Sequence, residues 1–184
     1  LWLNKLSGQS LVFDTTIKLV ASDYLVPASL GLCLIALWFV EQDRQRHQVQ
    51  QLGVIVALTA MSISNLAVMI INAIYARPRP FVDLDIVPLL YTPTDPSFPA
   101  NSTAAAFGLS VSMWGVHRKL GAICIGVSMI FGISRICGGV HYPTDVMFGA
   151  LIGATMSYSA FKLRDLLMPV LTRFLRVARM FCLA

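Results

Sequence analysis

Five long apolar segments constrain the fold of this chain more than any other feature. They run from Tyr24 to Val40, Leu52 to Ile74, Thr103 to Val116, Leu120 to Ile136 and Val146 to Phe161. A helix that crosses a bilayer needs about 20 residues, within a range of about 17 to 25. We therefore predict an all-α integral membrane protein, a bundle of about five to six transmembrane helices. The third segment is short, so its helix should extend into polar flanks or lie tilted.

The composition agrees with a membrane protein of one domain. Of the 184 residues 57% are hydrophobic and only 12% are charged, whereas soluble domains average about 25% charged residues. We predict a single membrane domain over residues 1–184, with the motif-bearing core at about 52–161. The four cysteines lack metal-ligand spacing. Because the chain begins at Leu1, we expect that its true N-terminus was removed or lies upstream.

Two flanking segments mix apolar side chains with charges. The stretch from about 10 to 21 carries Asp14 and Lys18 among Leu, Phe and Ile residues, and the stretch from about 162 to 180 alternates basic residues with Leu, Phe and Val. This pattern is typical of helices that lie in the membrane interface. We predict amphipathic interfacial helices at both ends. The alternative is that these helices pack on a partner subunit.

The basic residues of the loops fall mainly on one side of the predicted membrane. That side carries Arg44, Arg46, Arg118, Lys119, Lys162, Arg164, Arg173, Arg176 and Arg179. The opposite side carries Arg77, Arg79 and Arg135, with Lys5 and Lys18 near the N-terminus. Because cytoplasmic loops are enriched in Lys and Arg, we expect the first side to face the cytoplasm and the second to face outward.

Two polar patches on the expected outer side suit an anion. Arg77 to Phe81 is a proline-stiffened turn with two arginines, which can contact a phosphate in a bidentate manner or anchor the chain to lipid headgroups. Pro96 to Thr103 leads into the third apolar segment. There Asn101, Ser102 or Thr103 can cap a helix, and the free N–H groups of the first turn can bind an anion.

A third patch, Ser134 to Asp145, places an arginine, a histidine and an aspartate between two apolar segments. His141 and Asp145 are four residues apart, so on one helix the carboxylate could orient the imidazole. An oriented histidine beside Arg135 suits chemistry on a phosphate. The alternative is an interfacial turn whose polar residues only cap helices, but charged groups in apolar surroundings are costly without a function.

Together the patches resemble the three motifs of the type 2 phosphatidic acid phosphatase superfamily of membrane lipid phosphatases. Those motifs are Lys-x6-Arg-Pro, Pro-Ser-Gly-His and Ser-Arg-x5-His-x3-Asp. The third motif is matched in full by Ser134, Arg135, His141 and Asp145. The resemblance covers roughly Leu52 to Phe161, and it is greatest to bacterial members that act on polyprenyl diphosphates.

The other two motifs are matched only in part. The first keeps Arg79 and Pro80, but Asn72 occupies the place of its lysine. The second keeps Pro99, and its Ser-Gly-His triplet reads Ala100-Asn101-Ser102.

The resemblance implies a chemistry and a set of site residues. His141 would attack phosphorus and form a phosphohistidine, and Asp145 would orient it. Arg79 and Arg135 would neutralise the phosphoryl oxygens in the transition state. The further phosphate-binding residues would be Ser134, Ser102 and Asn101.

The resemblance also implies the partners and the location. No metal or other cofactor is expected, since fixed cations serve in its place. The expected ligands are membrane lipids, either a lipid phosphate or a prenyl diphosphate, and nucleic acid is not expected. The site would face the extracytoplasmic side of a bacterial inner membrane.

Ser102 is the most consequential departure from the family pattern. The histidine at this position protonates the leaving group and later activates water, and a serine hydroxyl has no useful pKa near neutrality. Loss of such a group typically costs about 10²–10⁴ in rate. Because a phosphate leaves with less need of a proton than a lipid alkoxide, we predict a diphosphate substrate. Asp95 is a conceivable replacement acid; the alternative is a solvated loop residue.

Two function classes therefore stay open. One is a lipid phosphate or diphosphate phosphatase that acts through His141. The other is a catalytically inactive phosphatase-fold protein, serving as a lipid-binding or structural subunit of a larger membrane complex. The losses at Asn72, Ala100 and Ser102 favour the second class, and the intact third motif favours the first.

Overall fold

The computed structural model describes residues 10–41, 43–84, 86, 88, 89, 91–164 and 173, and every regular element within them is a helix. The helices are α1 (Leu11–Val20), α2 (Leu25–Phe39), α3 (Arg44–Ile74), α4 (Pro80–Asp83), α5 (Asn101–Val116), α6 (Arg118–Cys137) and α7 (Pro143–Lys162). The predicted all-α fold is confirmed. The five apolar segments coincide closely with α2, α3, α5, α6 and α7.

Within the described residues, two helices are long and apolar enough to cross a membrane alone, Arg46–Ile74 of α3 and Arg118–Cys137. The pair α1 and α2, bent by 45°, forms a third candidate span. α5 has 16 residues, in agreement with the short third segment. These findings support a membrane protein, and the number of five to six transmembrane helices stays a prediction.

The two predicted interfacial helices have different outcomes. The N-terminal segment is helical as α1, which has no buried residue and exposes Leu11, Val12 and Leu19. Its place in the membrane interface stays a prediction. The predicted C-terminal helix lies outside the described residues, apart from the end of α7 and positions 163, 164 and 173.

The centre of the bundle is the packing of α5 against α7, and small residues make it possible. A Cβ added at Gly149 would lie 2.5 Å from the Ala100 carbonyl oxygen, and one at Gly153 would lie 2.3 Å from that of Ala104. Small residues at such positions let two helices approach closely inside a membrane. The contact brings the first turn of α5 beside the first turn of α7, where the Ala100 N–H donates to the Asp145 carbonyl at 3.0 Å.

Because of this close approach, replacing glycine by alanine should affect the stability of the protein differently at Gly153 and at Gly126. Gly153→Ala should lower stability by about 1–3 kcal/mol, because the added methyl group meets backbone that cannot give way. Gly126→Ala on α6 meets nothing within 4 Å and should be neutral or stabilising, since alanine is the better helix former. Thermal unfolding in detergent compares the two. Equal melting temperatures for both variants would contradict the packing.

Candidate active site

The turn between α6 and α7 places two of the predicted site residues. The chain reverses at Gly139, whose φ of 75° is a conformation that glycine adopts without a steric penalty. α7 then begins at Pro143, a position in the first turn where no N–H donor is required. Arg135 lies in the last turn of α6 and His141 in the reversing turn. His141 therefore precedes α7 and shares no helix face with Asp145.

His141 is buried, with 2% of its surface exposed, and both ring nitrogens have a partner. Nδ1 lies 3.0 Å from the Ser97 carbonyl oxygen, and because a carbonyl only accepts, Nδ1 carries the ring proton. Nε2 keeps its lone pair and lies 3.3 Å from Nη1 of Arg79. Burial and the positive charges of Arg79 and Arg135 lower the pKa of His141 to about 3. The imidazole is therefore neutral near pH 7, as a nucleophile must be.

The lowered pKa of His141 predicts a pH-dependent stability. In the unfolded chain the imidazole titrates near pH 6.5, so below that pH the unfolded state binds a proton that the folded state excludes. Stability is lost as the pH falls from 6.5 toward 3, by about 2 kcal/mol between pH 7 and pH 5. Thermal unfolding at these two pH values should show this loss in the wild type and not in His141→Gln. A parallel pH dependence of the two proteins would contradict it.

Asp145 is fully buried, and its hydrogen bonds correct the predicted pairing with His141. Oδ1 accepts from Nη1 of Arg77 at 2.8 Å, and Oδ2 accepts from the Tyr142 N–H at 3.0 Å. The second bond uses the carboxylate to cap the start of α7. The Ser97 hydroxyl also donates to Oδ2. Asp145 therefore does not orient the imidazole directly; it binds Ser97, whose carbonyl oxygen holds Nδ1 of His141, and the backbone N–H of Tyr142 next to it.

Ser97 and Arg77 thus belong to the site, although the sequence assigned neither a definite role. Arg77 also donates to the Thr144 hydroxyl at 2.9 Å, and its guanidinium lies 3.9 Å from the centroid of the Tyr142 ring. Ser97 is fully buried. In the sequence, both residues lie in the two proline-rich patches. Their place in these patches does not indicate that both bind Asp145, which is far away along the chain.

Arg79 meets His141, so the structure brings together the first and third motifs. The side chain is buried, and Nη1 donates to the Val140 carbonyl at 2.9 Å. Its Nε and Nη2 donate to the backbone and carboxylate oxygens of Asp95, each at 2.9 Å. Burial lowers the pKa of Arg79. The contact of Asp95 with Arg79 places that acid at the site, although its side chain is 59% exposed.

Arg135 is also buried and paired. Its Nη1 donates to the Ala21 carbonyl and to Oδ1 of Asp23, both at 2.9 Å, while its Nε has no partner. Asp23 lies in the turn between α1 and α2 and also accepts from the Tyr91 hydroxyl. Asp23 was missed by sequence reasoning because the pair joins residues that are 112 positions apart.

In the described part of the chain, the predicted phosphate-binding residues with hydroxyl or amide side chains make no side-chain hydrogen bond with the two arginines or with His141. The Ser134 hydroxyl donates to the Phe131 carbonyl at 2.7 Å, within its own helix. Asn101 is exposed at the start of α5, and the cap position is Ala100, not one of the three expected residues, because the helix begins one residue earlier. The Ser102 hydroxyl is buried without a hydrogen-bond partner. Their roles toward phosphate stay predictions.

A cavity of about 510 Å³ opens beside Arg79. Its lining includes Arg77, Phe81, Thr94 and Asp95. Within the part of the chain that the structure describes, no group of three His, Cys, Asp or Glu residues could hold a metal ion. The polar side chains that line the cavity are those of Arg77, Arg79, Thr92, Thr94 and Asp95.

The chain has relatives among known proteins. A sequence profile of the PAP2 superfamily matches residues 53–168. The chain is similar to the undecaprenyl-diphosphatase BcrC of Bacillus subtilis, with 30% identity over 175 residues, covering 95% of this chain and 87% of that protein. It is also similar to the lipid A 1-diphosphate synthase of Escherichia coli, with 27% identity over 130 residues, covering 67% of this chain and 55% of that protein.

Two solved structures share the fold. The crystal structure of Aquifex aeolicus LpxE superposes with a TM-score of 0.64 at 26% identity, covering 88% of this chain and 91% of that one. A transmembrane PAP2-type phosphatidylglycerolphosphate phosphatase from Bacillus subtilis superposes with a TM-score of 0.59 at 18% identity, covering 89% and 77%. At that identity the second likeness concerns the fold alone.

Proposed function

Since the chain belongs to the PAP2 superfamily and resembles its lipid phosphatases, we propose that it hydrolyses a prenyl diphosphate through a phosphohistidine on His141. One observation carries the proposal: a buried, neutral imidazole whose Nδ1–H is held by the Ser97 carbonyl and whose Nε2 faces Arg79. The lone pair of a nucleophile is thereby fixed in direction beside a cation that can bind a phosphoryl oxygen.

The reaction would proceed in two displacements. Nε2 of His141 attacks the terminal phosphorus, and the bond from that phosphorus to the bridging oxygen breaks. The lipid monophosphate departs with the electron pair of that bond. Water then attacks the phosphohistidine, which releases inorganic phosphate and regenerates the neutral imidazole. The Nδ1–H bond to the Ser97 carbonyl stabilises the positive ring that exists between these steps.

The two buried arginines would neutralise the transferred group. Arg79 binds the carboxylate of Asp95, and Arg135 binds that of Asp23. A phosphoryl group would take the place of these carboxylates, because the N–H groups of a guanidinium donate to either anion in the same geometry. Nε of Arg135 has no hydrogen-bond partner, so it could donate to a phosphoryl oxygen without first releasing a carboxylate.

The substrate class follows from the leaving group. With Ser102 in place of the histidine acid, the departing group must leave with little protonation. A phosphate monoester of a prenol meets this requirement better than the alkoxide of a diacylglycerol. The similarity to an undecaprenyl-diphosphatase supports the same class. The distribution of basic residues supports a site on the extracytoplasmic side of the membrane, and the similarity to a Bacillus subtilis protein supports a bacterial inner membrane.

One set of observations favours a second function, a catalytically inactive lipid-binding protein or structural subunit. Both site arginines are already paired with carboxylates, and the hydroxyl at the acid position has no partner. A pocket of this kind would bind an anionic headgroup without turnover. Purification only as part of a larger membrane complex would support it.

Phosphate release by the purified protein distinguishes the two functions. The substrates are farnesyl diphosphate, undecaprenyl diphosphate and phosphatidic acid in detergent micelles, with His141→Ala as the control. We expect release from both diphosphates, slower release from phosphatidic acid, and no release by His141→Ala. No release by the wild type, or release that survives the substitution, would end the enzyme proposal. Faster cleavage of phosphatidic acid would overturn the substrate class.

A further inference from the structure

An apolar groove of about 740 Å³ lies between α1 and α2, where the two helices meet at 45°. Leu19, Leu25, Ala28 and Leu32 form much of its lining, and Lys18 supplies a positive charge to it. Its size is within the range of about 300–1,000 Å³ that small-molecule sites occupy. The groove therefore offers room for a flexible hydrocarbon chain.

Three of the hydroxyl groups in the lining, those of Thr15, Ser22 and Ser29, donate to backbone carbonyls of the protein itself. Thr15 donates to the Leu11 carbonyl at 2.7 Å, and Ser22 donates to the Leu19 carbonyl at 2.7 Å. Ser29 likewise donates to the backbone of its own helix. With these donors satisfied, the groove presents mainly carbon to its contents, which suits a hydrocarbon and not a polar ligand.

The groove adjoins the proposed phosphate site through one turn. The backbone carbonyl of Ala21 and the carboxylate of Asp23 both accept hydrogen bonds from Arg135. The residues on either side of Asp23, namely Ser22 and Tyr24, line the groove. A ligand whose charged end lies at Arg135 thus needs to pass only one turn of backbone before it reaches an apolar surface.

We propose that the groove between α1 and α2 holds the hydrocarbon chain of the lipid diphosphate substrate. This inference rests on the proposed function. A prenyl diphosphate has its charged group at one end and its hydrocarbon chain at the other. Arg135 would bind the charged end, and the adjoining groove would hold the chain. A longer chain contacts more of the apolar side chains that line the groove, so affinity and kcat/KM should rise with chain length. The other possible occupants are a bulk phospholipid and a partner protein.

Chain-length selectivity tests the proposal kinetically. Ala28 is exposed in the groove, so Ala28→Trp fills it without burial of the new ring in the bundle core. We expect the ratio of kcat/KM for farnesyl diphosphate to that for dimethylallyl diphosphate to fall about tenfold. Ile130→Trp on α6, also at an exposed position, should leave this ratio at the wild-type value. An unchanged ratio in Ala28→Trp would overturn the proposal.

Photolabelling tests the groove even if the protein releases no phosphate from any substrate. A farnesyl diphosphate analogue with a diazirine on its chain should label the residues that line the groove, and Ala28→Trp should reduce this labelling about tenfold. Competition by farnesyl diphosphate, and not by phosphatidylglycerol, supports the proposal. Adducts on other helices, equal competition by phosphatidylglycerol, or no labelling would overturn it. A wild type that is labelled in the groove but inert would refute only the catalytic proposal.

Discussion

Ser102→His is expected to raise the release of phosphate from phosphatidic acid by about 10²–10⁴-fold. Position 102 lies in the first turn of α5, and its hydroxyl is buried without a partner. A histidine there would supply a group that titrates near neutral pH and can protonate a departing alkoxide. Hydrolysis of farnesyl diphosphate should gain less, because its phosphate leaving group depends less on protonation.

Two controls separate acid catalysis from a general effect on the site. Ser102→Ala removes the hydroxyl and should change the hydrolysis of farnesyl diphosphate by less than about threefold, since serine is no acid at this pH. His141→Ala combined with Ser102→His should be inactive, because the nucleophile is then missing. Equal acceleration of both substrates would contradict the role of position 102. An inert wild type that Ser102→His activates would favour the inactive lipid-binding function.

Arg79→Ala is expected to lower kcat for farnesyl diphosphate by about 10³-fold or more, in the range that a transition-state arginine contributes to phosphoryl transfer. Arg79 is the cation that lies next to Nε2 of His141, at 3.3 Å. Arg79→Lys should also lose most of the activity, because one ammonium group cannot reproduce the fork that binds Val140 and Asp95 together. Steady-state phosphate release measures both losses.

Asp95→Asn is the matched control for Arg79→Ala. It removes the charge of Asp95, the exposed partner of the same ion pair, and keeps the guanidinium of Arg79. We expect a change of less than about tenfold, because Asp95 is largely exposed and the amide oxygen of the asparagine can still accept from Nη2 of Arg79. A loss as large as that of Arg79→Ala would contradict this expectation. The melting temperatures of the variants show whether each one is folded.

The helices could be predicted from the sequence because their signal is local. The five apolar segments differ from the helices mainly at the ends, where a few polar residues extend α3, α5 and α7. The motif spacing also indicated that Arg79 and His141 belong together, although they are 62 positions apart. That inference came from the resemblance, since no local pattern reports a contact over such a distance.

The partners of the site residues could not be predicted in the same way. The spacing of His141 and Asp145 suggested a helical pair, but the helix begins between them at Pro143. Which oxygen then holds the imidazole depends on where the loop before α5 passes, and it is the Ser97 carbonyl. The contact of Asp23 with Arg135 likewise depends on the docking of the α1–α2 turn against the end of α6. These are products of tertiary packing.

The buried contacts of the third motif also bear on how such a protein evolves. Asp145 caps α7 and binds Arg77, and Arg135 fastens the turn between α1 and α2. Each of these two side chains, Asp145 and Arg135, is buried and holds several hydrogen bonds, so its loss would leave buried groups unpaired and would destabilise the fold. Selection for folding alone would therefore keep both residues in a lineage that had stopped turning over substrate. Ser102 is different, because its hydroxyl makes no hydrogen bond. Substitutions at position 102 can therefore change the catalytic chemistry without destabilising the fold.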